Sequence, residues 1–401
     1  MKVLLITNLY PYSTDLDNDI NTKALHDIVK IWKLEMGVEV EVIRPLYLPT
    51  DLKTAINNRN FICKTIFIDS VKVHILPIWK IPKTKVYFHN LLINYANKEN
   101  INADVVVSHG VHTAKGASKL AKIKNIPFIL GVHNNDILEV SNGDLKNHYY
   151  TMFDQAEFIA CRSRSILQEV RNIYPSFYEK CFIAFSGIEE NIITSLENNI
   201  AKVREWKEGK RPLRFITAAS LKKLKNIDVN LAALAGLDNN INWEYTILGD
   251  GEEITNLKKL VLELGIGDKV TFAGHQKREE VLTHMKNNDI FIMVSAPETF
   301  GLAYIEAMAR GCLVIGAYNY GIDGVVKDSF NGFLCHPKDK VGLTKKIESI
   351  YKMDDLAINE VITQANYTIK NYTAGNAARS YMNKIEETLK KFEPLKSYSP
   401  R

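Results

Sequence analysis

Short apolar runs alternate with amphipathic stretches along the first half of the chain. The runs predict β-strands at residues 2–8, 39–43, 71–76, 103–108, 127–131, 157–161 and 181–185. Between the first two runs, residues 19–36 place Ile20, Ala24 and Ile28 on one stripe, which predicts an amphipathic helix. A further helix is predicted to begin near Thr113. Alternating strands and helices indicate a parallel sheet with helices on both faces.

The second half repeats this alternation. Strands are predicted at residues 213–217, 243–248, 269–273, 290–294 and 313–316, with helices that begin near Asn226, Glu252, Arg278 and Gly301. After residue 339 the pattern is wholly helical, with a last helix at 371–391 and a flexible tail at 392–401. The polar stretch 191–211 is predicted to link an N-terminal domain, 1–190, to a C-terminal domain, 212–370.

Two such halves predict an α/β protein made of two Rossmann-like, doubly wound domains. A length of 401 residues suits two cores of ordinary size. Ligands of open parallel sheets bind beyond the carboxyl ends of the strands. We therefore expect an interdomain cleft that holds the site.

Composition and charge exclude several classes of function. The net charge of +5 is modest and no basic stripe is interleaved with aromatic residues, so nucleic acid is not an expected partner. No apolar run approaches the roughly 20 residues that span a bilayer. Five scattered cysteines without metal-ligand spacing favour a reducing, cytoplasmic location and predict no metal site.

The segment with the most chemistry follows the predicted strand at 290–294. Residues 295–311 read Ser-Ala-Pro-Glu-Thr-Phe-Gly-Leu-Ala-Tyr-Ile-Glu-Ala-Met-Ala-Arg-Gly. A helix that begins near Gly301 leaves the amides of residues 300–303 without acceptors inside the helix. Free amides at the positive end of a helix attract phosphate. This turn is therefore a predicted anion site.

Two carboxylates flank that turn. Glu298 precedes the amides and Glu306 lies more than one helical turn inside, so they are too far apart for an acid-base pair. Both suit the vicinal hydroxyls of a sugar, since a carboxylate accepts two hydrogen bonds. The alternative is that Glu298 complements the helix dipole and Glu306 lies on a solvated face.

The spacing of these glutamates and their surroundings resemble the Glu-x7-Glu signature of GT-B glycosyltransferases in family 4. The resemblance extends over nearly all of the second half, to the motifs at residues 248–251, 270–274, 321–324 and 331–332. It implies a retaining transferase of a hexose-type sugar from a nucleotide diphosphate sugar, with UDP favoured and no metal or other cofactor. It also implies a saccharide or lipid-linked acceptor in envelope or capsular polysaccharide synthesis, and a last helix that returns to the first domain.

The resemblance also assigns roles to residues of the second half. It places Glu298 against the donor sugar and Glu306 on the ribose. The assigned donor contacts further comprise the backbone of Phe300, Gly301 and Leu302, the turn residue Gly249, and His275 and Gln276 beside the base.

One basic loop completes the predicted donor site. Lys225 matches the lysine that neutralises the diphosphate in the family, whereas Ser220 stands where the family has an arginine. Lys222 or Lys223 could supply the missing charge, although a lysine lacks the planar fork of arginine. An ordinary exposed basic loop is the alternative.

The first half offers one histidine in a favourable place. His133 follows a predicted strand, and relatives carry a histidine there, which makes it the candidate for orienting the acceptor or the donor sugar. His109 and His112 compete for this role. The loop 12–21 lacks the glycine pair of many relatives, so we expect it to serve the acceptor.

Three questions stay open at the level of sequence. An inverting enzyme would need a base such as His133 or Asp136, so retention rests on the resemblance alone. A non-catalytic sugar-nucleotide-binding subunit and a sugar-nucleotide epimerase are alternative functions. The helix 113–124 has a basic face, with Leu120 and Ile123 on another, which suits a lipid surface as well as plain solvent.

Overall fold

The computed structural model describes residues 1–13, 23–48, 63–79, 88–141 and 143–396. These residues divide into two compact units. The first comprises the described parts of Met1–Arg162, together with Ile166–Ser186 and the residues from Ala374 onward. The second comprises Ser163–Ser165 and Gly187–Thr373.

The described part of the first unit contains an eight-stranded sheet. Its strands are β1 (Lys2–Thr7), β2 (Glu39–Leu48), β3 (Lys64–Ile68), β4 (Val71–Trp79), β5 (Val105–His109), β6 (Phe128–Val132), β7 (Phe158–Cys161) and β8 (Cys181–Ile183). They lie in the order β3-β4-β2-β1-β5-β6-β7-β8. All neighbours are parallel except β3 and β4. Each strand predicted in this half has its counterpart in the sheet.

Strand β3 is the addition that the sequence pattern did not predict. It pairs antiparallel with β4, and Asp69 and Ser70 form the turn between the two strands. Both residues have positive φ angles, of 45° and 65°. Such a two-residue turn suits a hairpin. Because β3 lies at the edge of the sheet and is largely exposed, its residues give no continuous apolar run.

The helices of the first unit cover this sheet. They are α1 (Ala24–Leu34), α2 (Phe88–Lys98), α3 (Val111–Lys124), α4 (Asn134–Val140), α5 (Gly143–Gln155), most of α6 (Arg164–Ile173), and the C-terminal helix α14 (Ala374–Lys396). Helix α14 packs on α1, where the Trp32 indole donates to the Ala378 carbonyl at 2.9 Å. The last helix thus belongs to the first unit, as predicted.

The exposed face of α3 differs from the predicted one. Leu120 is fully buried in the core, so it is not part of a surface for lipid. The exposed side carries Lys115, Lys119 and Lys122, and Ile123 is 60% exposed beside them. Within the described residues, no helix combines the length and the apolar character needed to cross a membrane.

The second unit contains a six-stranded sheet. Its strands are β9 (Leu213–Ala218), β10 (Trp243–Leu248), β11 (Val270–Gly274), β12 (Ile290–Ile292), β13 (Leu313–Ala317) and β14 (Phe333–Cys335). They are all parallel, in the order β11-β10-β9-β12-β13-β14. The order reverses between β9 and β12, which is the arrangement of a Rossmann sheet.

The helices of the second unit are α7 (Leu196–Lys207), α8 (Ile227–Ala235), α9 (Ile254–Glu263), α10 (Arg278–Asn287), α11 (Leu302–Ala309), α12 (Lys340–Lys352) and α13 (Asp355–Ile369). The helices predicted near Asn226, Glu252, Arg278 and Gly301 correspond to α8 to α11. With α14, the helices α12 and α13 confirm the helical pattern beyond residue 339.

The predicted linker at 191–211 is wrong for most of its length, because it contains α7. The Ser195 side chain caps this helix by accepting from the Asn198 amide. Val203 and Trp206 are both buried at helical spacing, and the polar residues between them face outward. Leu196 and Ile200 continue this stripe but are only partly buried, and the polar Asn199 is buried beside them, so the stripe was too weak to predict a helix.

The predicted tail at 392–401 also begins too early. Helix α14 continues through Lys396, five residues beyond the predicted end at 391. Residues 397–401 lie outside the described residues.

A buried ion pair ties α7 to the second sheet. Arg211 donates two hydrogen bonds to the Asp289 carboxylate, at 2.6 and 2.9 Å, and one to Glu205 at 2.7 Å. Asp289 is fully buried and also accepts from the Arg214 amide, whereas the Glu205 side chain is 57% exposed. The two carboxylates that share Arg211 therefore differ in burial and in the number of hydrogen bonds that they accept from it.

We expect Asp289→Ala to lower the free energy of unfolding by about 3–5 kcal/mol, because it leaves Arg211 with only the exposed Glu205 as a counter-charge and removes the buried acceptor of the Arg214 amide. Glu205→Ala is the matched control, and its cost should be below about 1 kcal/mol because that pair is exposed. Scanning calorimetry of both variants measures the difference. Equal losses of stability would contradict this account of the ion pair.

Candidate functional site

The predicted chemical residues of the second unit gather at one edge of its sheet. The loop after β9 and the loop after β12 lie side by side, since these two strands are neighbours. The connections from β9 and β12 lead to strands on opposite sides of this point. Such a point in an open parallel sheet leaves a crevice between the two loops.

Hydrogen bonds hold these two loops together. The Leu224 carbonyl accepts from the Ala296 amide at 2.9 Å and from the Ser295 hydroxyl at 3.3 Å. The Asn226 side chain donates to the Val294 carbonyl at 2.7 Å. Residues 68 and 71 positions apart in sequence are therefore fixed against each other.

Lys225 and Glu298 form an ion pair at this junction. The Lys225 Nζ lies 2.7 Å from Glu298 Oε2, and the two side chains are only 16% and 15% exposed. The Glu298 backbone carbonyl accepts from the Gly321 amide at 3.1 Å, which connects the loop to the segment after β13. The structure thus brings together a lysine and a glutamate that the sequence assigned to separate motifs.

Helix α11 begins directly beside this pair. Gly301 precedes the helix with φ +87°, and a Cβ on it would lie 2.4 Å from the Tyr304 ring, so both conformation and space require glycine. Phe300 is buried, and Leu302 is the first helical residue. The first amides of α11 have no acceptor within the helix.

Arg278 is the residue of this site that the sequence analysis missed. Its guanidinium lies 3.1 Å from Glu306 Oε1 and 2.7 Å from Glu189 Oε1. Burial alone would lower the pKa of Arg278, but the carboxylates of Glu306 and Glu189 raise it above its ordinary value. An arginine at the first position of a helix opposes the helix dipole, and this anomaly was the signal available in the sequence.

Gly249 packs the next loop against the first one. It has φ +123°, and a Cβ there would lie 1.8 Å from the Ala219 carbonyl oxygen. Its amide donates to the Gly274 carbonyl at 2.7 Å. The structure therefore explains this glycine by close packing of three successive loops.

The remaining predicted contacts lie at the same edge of the sheet. His275 and Gln276 follow β11, and the Gln276 side chain donates to the Ala273 carbonyl at 2.6 Å. Ser220 and Lys222 are exposed in the loop after β9. Lys223 pairs with Asp228 at 2.7 Å, so its charge is already compensated.

His133 belongs to the first unit, between β6 and α4. Its Nε2 lies 3.1 Å from Nδ1 of His109, and its backbone amide donates to Asp136 Oδ2 at 2.8 Å. Burial, followed by the positive charge of Arg162, lowers the pKa of His133 to about 3. The imidazole is thus neutral at physiological pH.

The other candidates of the first unit take structural positions. His112 is 58% exposed and lies 2.9 Å from Glu139. Burial raises the pKa of Asp136 to about 6, although this carboxylate accepts from the amides of Val111 and His133. Of the loop 12–21, only Tyr12 and Ser13 are among the described residues.

A cavity of about 440 Å³ lies at the opposite edge of the second sheet. Lys202 and Arg310 line it, but both donate to backbone carbonyls, and Arg211 there is held by Asp289. Among the described residues, no group of three or more His, Cys, Asp or Glu could hold a metal ion. By contrast, the side chains of Lys225 and Glu298 pair with each other at the edge of the sheet that holds the loops after β9 and β12.

Comparisons with known proteins agree with this geometry. Residues 199–368 match the family described as "Glycosyl transferases group 1". The N-acetyl-alpha-D-glucosaminyl L-malate synthase of Bacillus anthracis is 23% identical over 304 residues, which cover 75% of this chain and 78% of the relative. The amylovoran biosynthesis glycosyltransferase AmsK of Erwinia amylovora is 26% identical over 384 residues, covering 86% and 89%.

A solved structure has the same fold. The crystal structure of Anabaena HepE in complex with UDP and glucose superposes with a TM-score of 0.69 at 18% identity, covering 96% of this chain and 100% of that one. The family match covers most of the second unit, including the loop of Lys225 and the helix of Glu306. The chain is therefore a glycosyltransferase of the GT-B type, with two Rossmann-like domains and a group 1 glycosyltransferase domain at residues 199–368.

Proposed function

We propose that the protein is a retaining transferase that moves a hexose-type sugar from a nucleotide diphosphate sugar to a saccharide or lipid-linked saccharide. The observation that carries this proposal is the Lys225–Glu298 pair, which lies at the reversal point of the sheet beside the start of α11. A cation, a carboxylate and helix amides in one place suit a ligand that combines phosphates with hydroxyls.

The diphosphate is assigned to Lys225 and the first amides of α11. An anion is favoured at that helix end by the dipole and by the amides together. Because Lys223 is paired with Asp228, Lys222 is the better substitute for the arginine that Ser220 replaces. Lys222 is exposed, and among the residues that the structure describes no ion pair engages its ammonium, so it can approach a phosphate.

Donor binding would then exchange one ion pair for two new contacts. In the ligand-free protein Lys225 is neutralised by Glu298 at 2.7 Å. A diphosphate competes for the ammonium, and the carboxylate becomes available to the hydroxyls of the sugar. Both side chains are largely buried, so water solvates neither charge well. The exchange therefore favours a ligand that offers an anion to Lys225 and hydrogen-bond donors to Glu298.

Glu306 is assigned to the ribose, with Arg278 as the residue that positions it. Arg278 contacts Glu306 through both Nε and NH2, at 3.2 and 3.1 Å. This contact fixes the orientation of the carboxylate on α11. A carboxylate is the usual acceptor for ribose hydroxyls in Rossmann-like domains.

UDP is the favoured nucleotide, and cell-surface polysaccharide is the favoured pathway. The structural neighbour from Anabaena was solved with UDP and glucose, and the Erwinia relative is named for amylovoran biosynthesis. The Bacillus relative is named for a product made with malate, which indicates that acceptors differ widely among relatives. The relatives therefore indicate the donor more specifically than the acceptor.

Retention is favoured by the state of the two alternative bases. A general base works best when its pKa lies near the operating pH. The pKa of His133 is about 3, which makes it a weak base. The pKa of Asp136 is about 6, but each of its carboxylate oxygens already accepts from a backbone amide, of Val111 or of His133, so it is held in place by the chain itself. Transfer in which the leaving phosphate accepts the proton of the acceptor needs no such side chain. By resemblance, His133 then orients the sugar.

Glu306→Ala should weaken nucleotide binding by about ten- to a hundredfold, since a hydrogen bond to a charged group contributes about 1.5–3 kcal/mol. Calorimetry with UDP, GDP and ADP and their glucose conjugates, first without metal and then with Mg²⁺, measures this effect. Glu263→Ala is the control, since that glutamate is 57% exposed and pairs with Lys259 on α9, away from the loops of the site. Binding that is unchanged in Glu306→Ala would remove Glu306 from the donor site.

Lys225→Ala should lower kcat/KM by about 10²–10³, the usual loss when a group that stabilises developing charge is removed. Lys223→Ala, two residues away in the same loop, should stay within about twofold because its pair with Asp228 is exposed. The assay is release of nucleotide from the sugar conjugate that binds best in the calorimetric series. Similar losses in both variants would mean that the loop acts by its general charge.

The described surface of α3 also supports peripheral contact with a membrane. Lys115, Lys119 and Lys122 form an exposed basic row, and Ile123 beside them is exposed as well. Lysines close to an anionic bilayer each contribute about 1 kcal/mol. A lipid-linked acceptor would be reached most readily from such a surface.

Replacing Lys115, Lys119 and Lys122 with glutamine should release the protein from vesicles that contain phosphatidylglycerol, as measured by co-sedimentation. Because each lysine contributes about 1 kcal/mol, the partition coefficient should fall about a hundredfold. The same change at Lys258, Lys259 and Lys345, which are exposed in the second unit, controls for total charge. If both triple variants sediment alike, α3 is an ordinary solvated helix.

A further inference from the structure

A row of buried polar side chains lies next to His133 in the first unit. His109 ends β5, His133 follows β6 and Arg162 follows β7, so three neighbouring parallel strands deliver them to the same edge of the sheet. Tyr381 reaches this place from helix α14. His109, Arg162 and Tyr381 are at most 4% exposed. Arg162 and Tyr381 have no role above, and His109 was considered only as a competitor of His133.

Hydrogen bonds connect these groups in sequence. His109 Nδ1 lies 3.1 Å from His133 Nε2, and His109 Nε2 lies 2.9 Å from the Tyr381 hydroxyl. Both ring nitrogens of His109 are thereby engaged. The imidazole of His109 connects His133 to a hydroxyl that is 272 residues from His109 along the chain.

The surroundings are shaped to hold His109 in this position. Gly131 on β6 is its partner across the sheet, and a Cβ at Gly131 would lie 2.3 Å from His109 Nδ1. Any other residue there would displace the ring. The glycine in the middle of a strand is therefore explained by the imidazole beside it.

Tyr381 is fixed just as firmly. Its ring packs edge-on against Trp32 with centroids 5.3 Å apart, and against Phe182 at 5.4 Å. Trp32 in turn donates to the carbonyl of Ala378, one turn earlier on α14. The hydroxyl is thus held in place by aromatic packing that does not depend on the hydroxyl itself.

Burial, together with the positive charge of Arg162, keeps both histidines of the row neutral. The Arg162 guanidinium donates to the Ser186 hydroxyl, and within the described residues its NH1 atom has no hydrogen-bond partner. Burial first, and this cation second, hold the pKa of His133 at about 3, and the pKa of buried His109 is also well below its usual range. Both imidazoles are neutral, so each presents one N–H donor and one bare acceptor nitrogen.

We propose that His109 and Tyr381 are positioning residues that fix the ring orientation and the tautomer of His133. In the His109–His133 contact one nitrogen donates and the other accepts, so the tautomer of one ring determines that of the other. Within the described residues His109 Nε2 is the one acceptor for the buried Tyr381 hydroxyl, so the hydroxyl donates to it. His109 Nδ1 then carries the proton and donates to His133 Nε2, which leaves the proton of His133 on Nδ1. This inference rests on the proposed role of His133, and it makes the C-terminal helix a supporting part of the site.

Tyr381→Phe tests the inference, because it removes the hydroxyl and keeps the ring packing against Trp32 and Phe182. Its unfolding temperature should match that of Tyr174→Phe, the control, which removes another largely buried hydroxyl of this unit that donates to a backbone carbonyl. The kcat for nucleotide release should fall about ten- to a hundredfold in Tyr381→Phe alone, the usual cost of losing a partner that orients a histidine ring. The KM for the donor should not change.

Nitrogen-15 NMR of the imidazoles gives a readout that is independent of turnover. The His133 signals, assigned from their loss in His133→Gln, should show one tautomer in the native protein and a mixture in Tyr381→Phe. His109→Asn serves as a second variant, since its amide can replace Nδ1 toward His133 but is too short to reach Tyr381. It should give the same change in the His133 signals.

Combination with His133→Ala separates the possible failures. If His133→Ala keeps native turnover, the proposed role of His133 is wrong, while the NMR signals still decide whether the row fixes its tautomer. If His133→Ala is inactive but Tyr381→Phe has native turnover and native His133 signals, the inference is overturned. It is also overturned if Tyr381→Phe lowers the residual turnover of His133→Ala further, because residues that act through His133 cannot do so.

Discussion

The adjacency of β9 and β12 in a wholly parallel sheet is the constraint on which the candidate site depends. Parallel strands bring their carboxyl ends to one edge, and a reversal of strand order leaves a gap between the two loops that begin there. Lys225 and Glu298 lie on those two loops and meet at 2.7 Å. Their meeting follows from strand order, which places residues from distant segments within reach of one ligand.

The charges of this site are arranged in pairs. Glu298 is matched by Lys225 and Glu306 by Arg278, so that neither partly buried carboxylate stands without a cation. Pairing limits the cost of desolvation in the ligand-free protein. In the proposed donor site a diphosphate would compete with Glu298 for Lys225, whereas Arg278 would keep Glu306 oriented. The two glutamates of one sequence motif thus stand in different electrostatic relations to their neighbours.

The polar centre of the first unit consists of two neutral histidines that are held by hydrogen bonds. Arg162 supplies a buried positive charge beside them, and Tyr381 supplies a hydroxyl from the last helix. Helix α14 packs on α1 through Trp32 and so brings the hydroxyl to its place. The last helix, which has no strand partner, therefore contributes to the polar centre of the first unit as well as to its core.

The sequence by itself determined the α/β class, nearly all strands, and the motif from Glu298 to Gly311. Strands buried on both faces appear as continuous apolar runs, and a helix that opens on a glycine after a strand leaves a local signature. Strands β3 and β14 and helix α7 were missed. Strand β3 is exposed, β14 has three residues, and the apolar stripe of α7 is only partly buried.

Only the tertiary structure decided which of these residues meet. The contacts of Arg278 with Glu306, of Lys225 with Glu298 and of His109 with Tyr381 join positions 28, 73 and 272 residues apart. The periodicity of a segment shows which of its faces is buried, but it does not show which residues of other segments that face contacts. Partners are set by strand order and by packing, which depend on the whole chain.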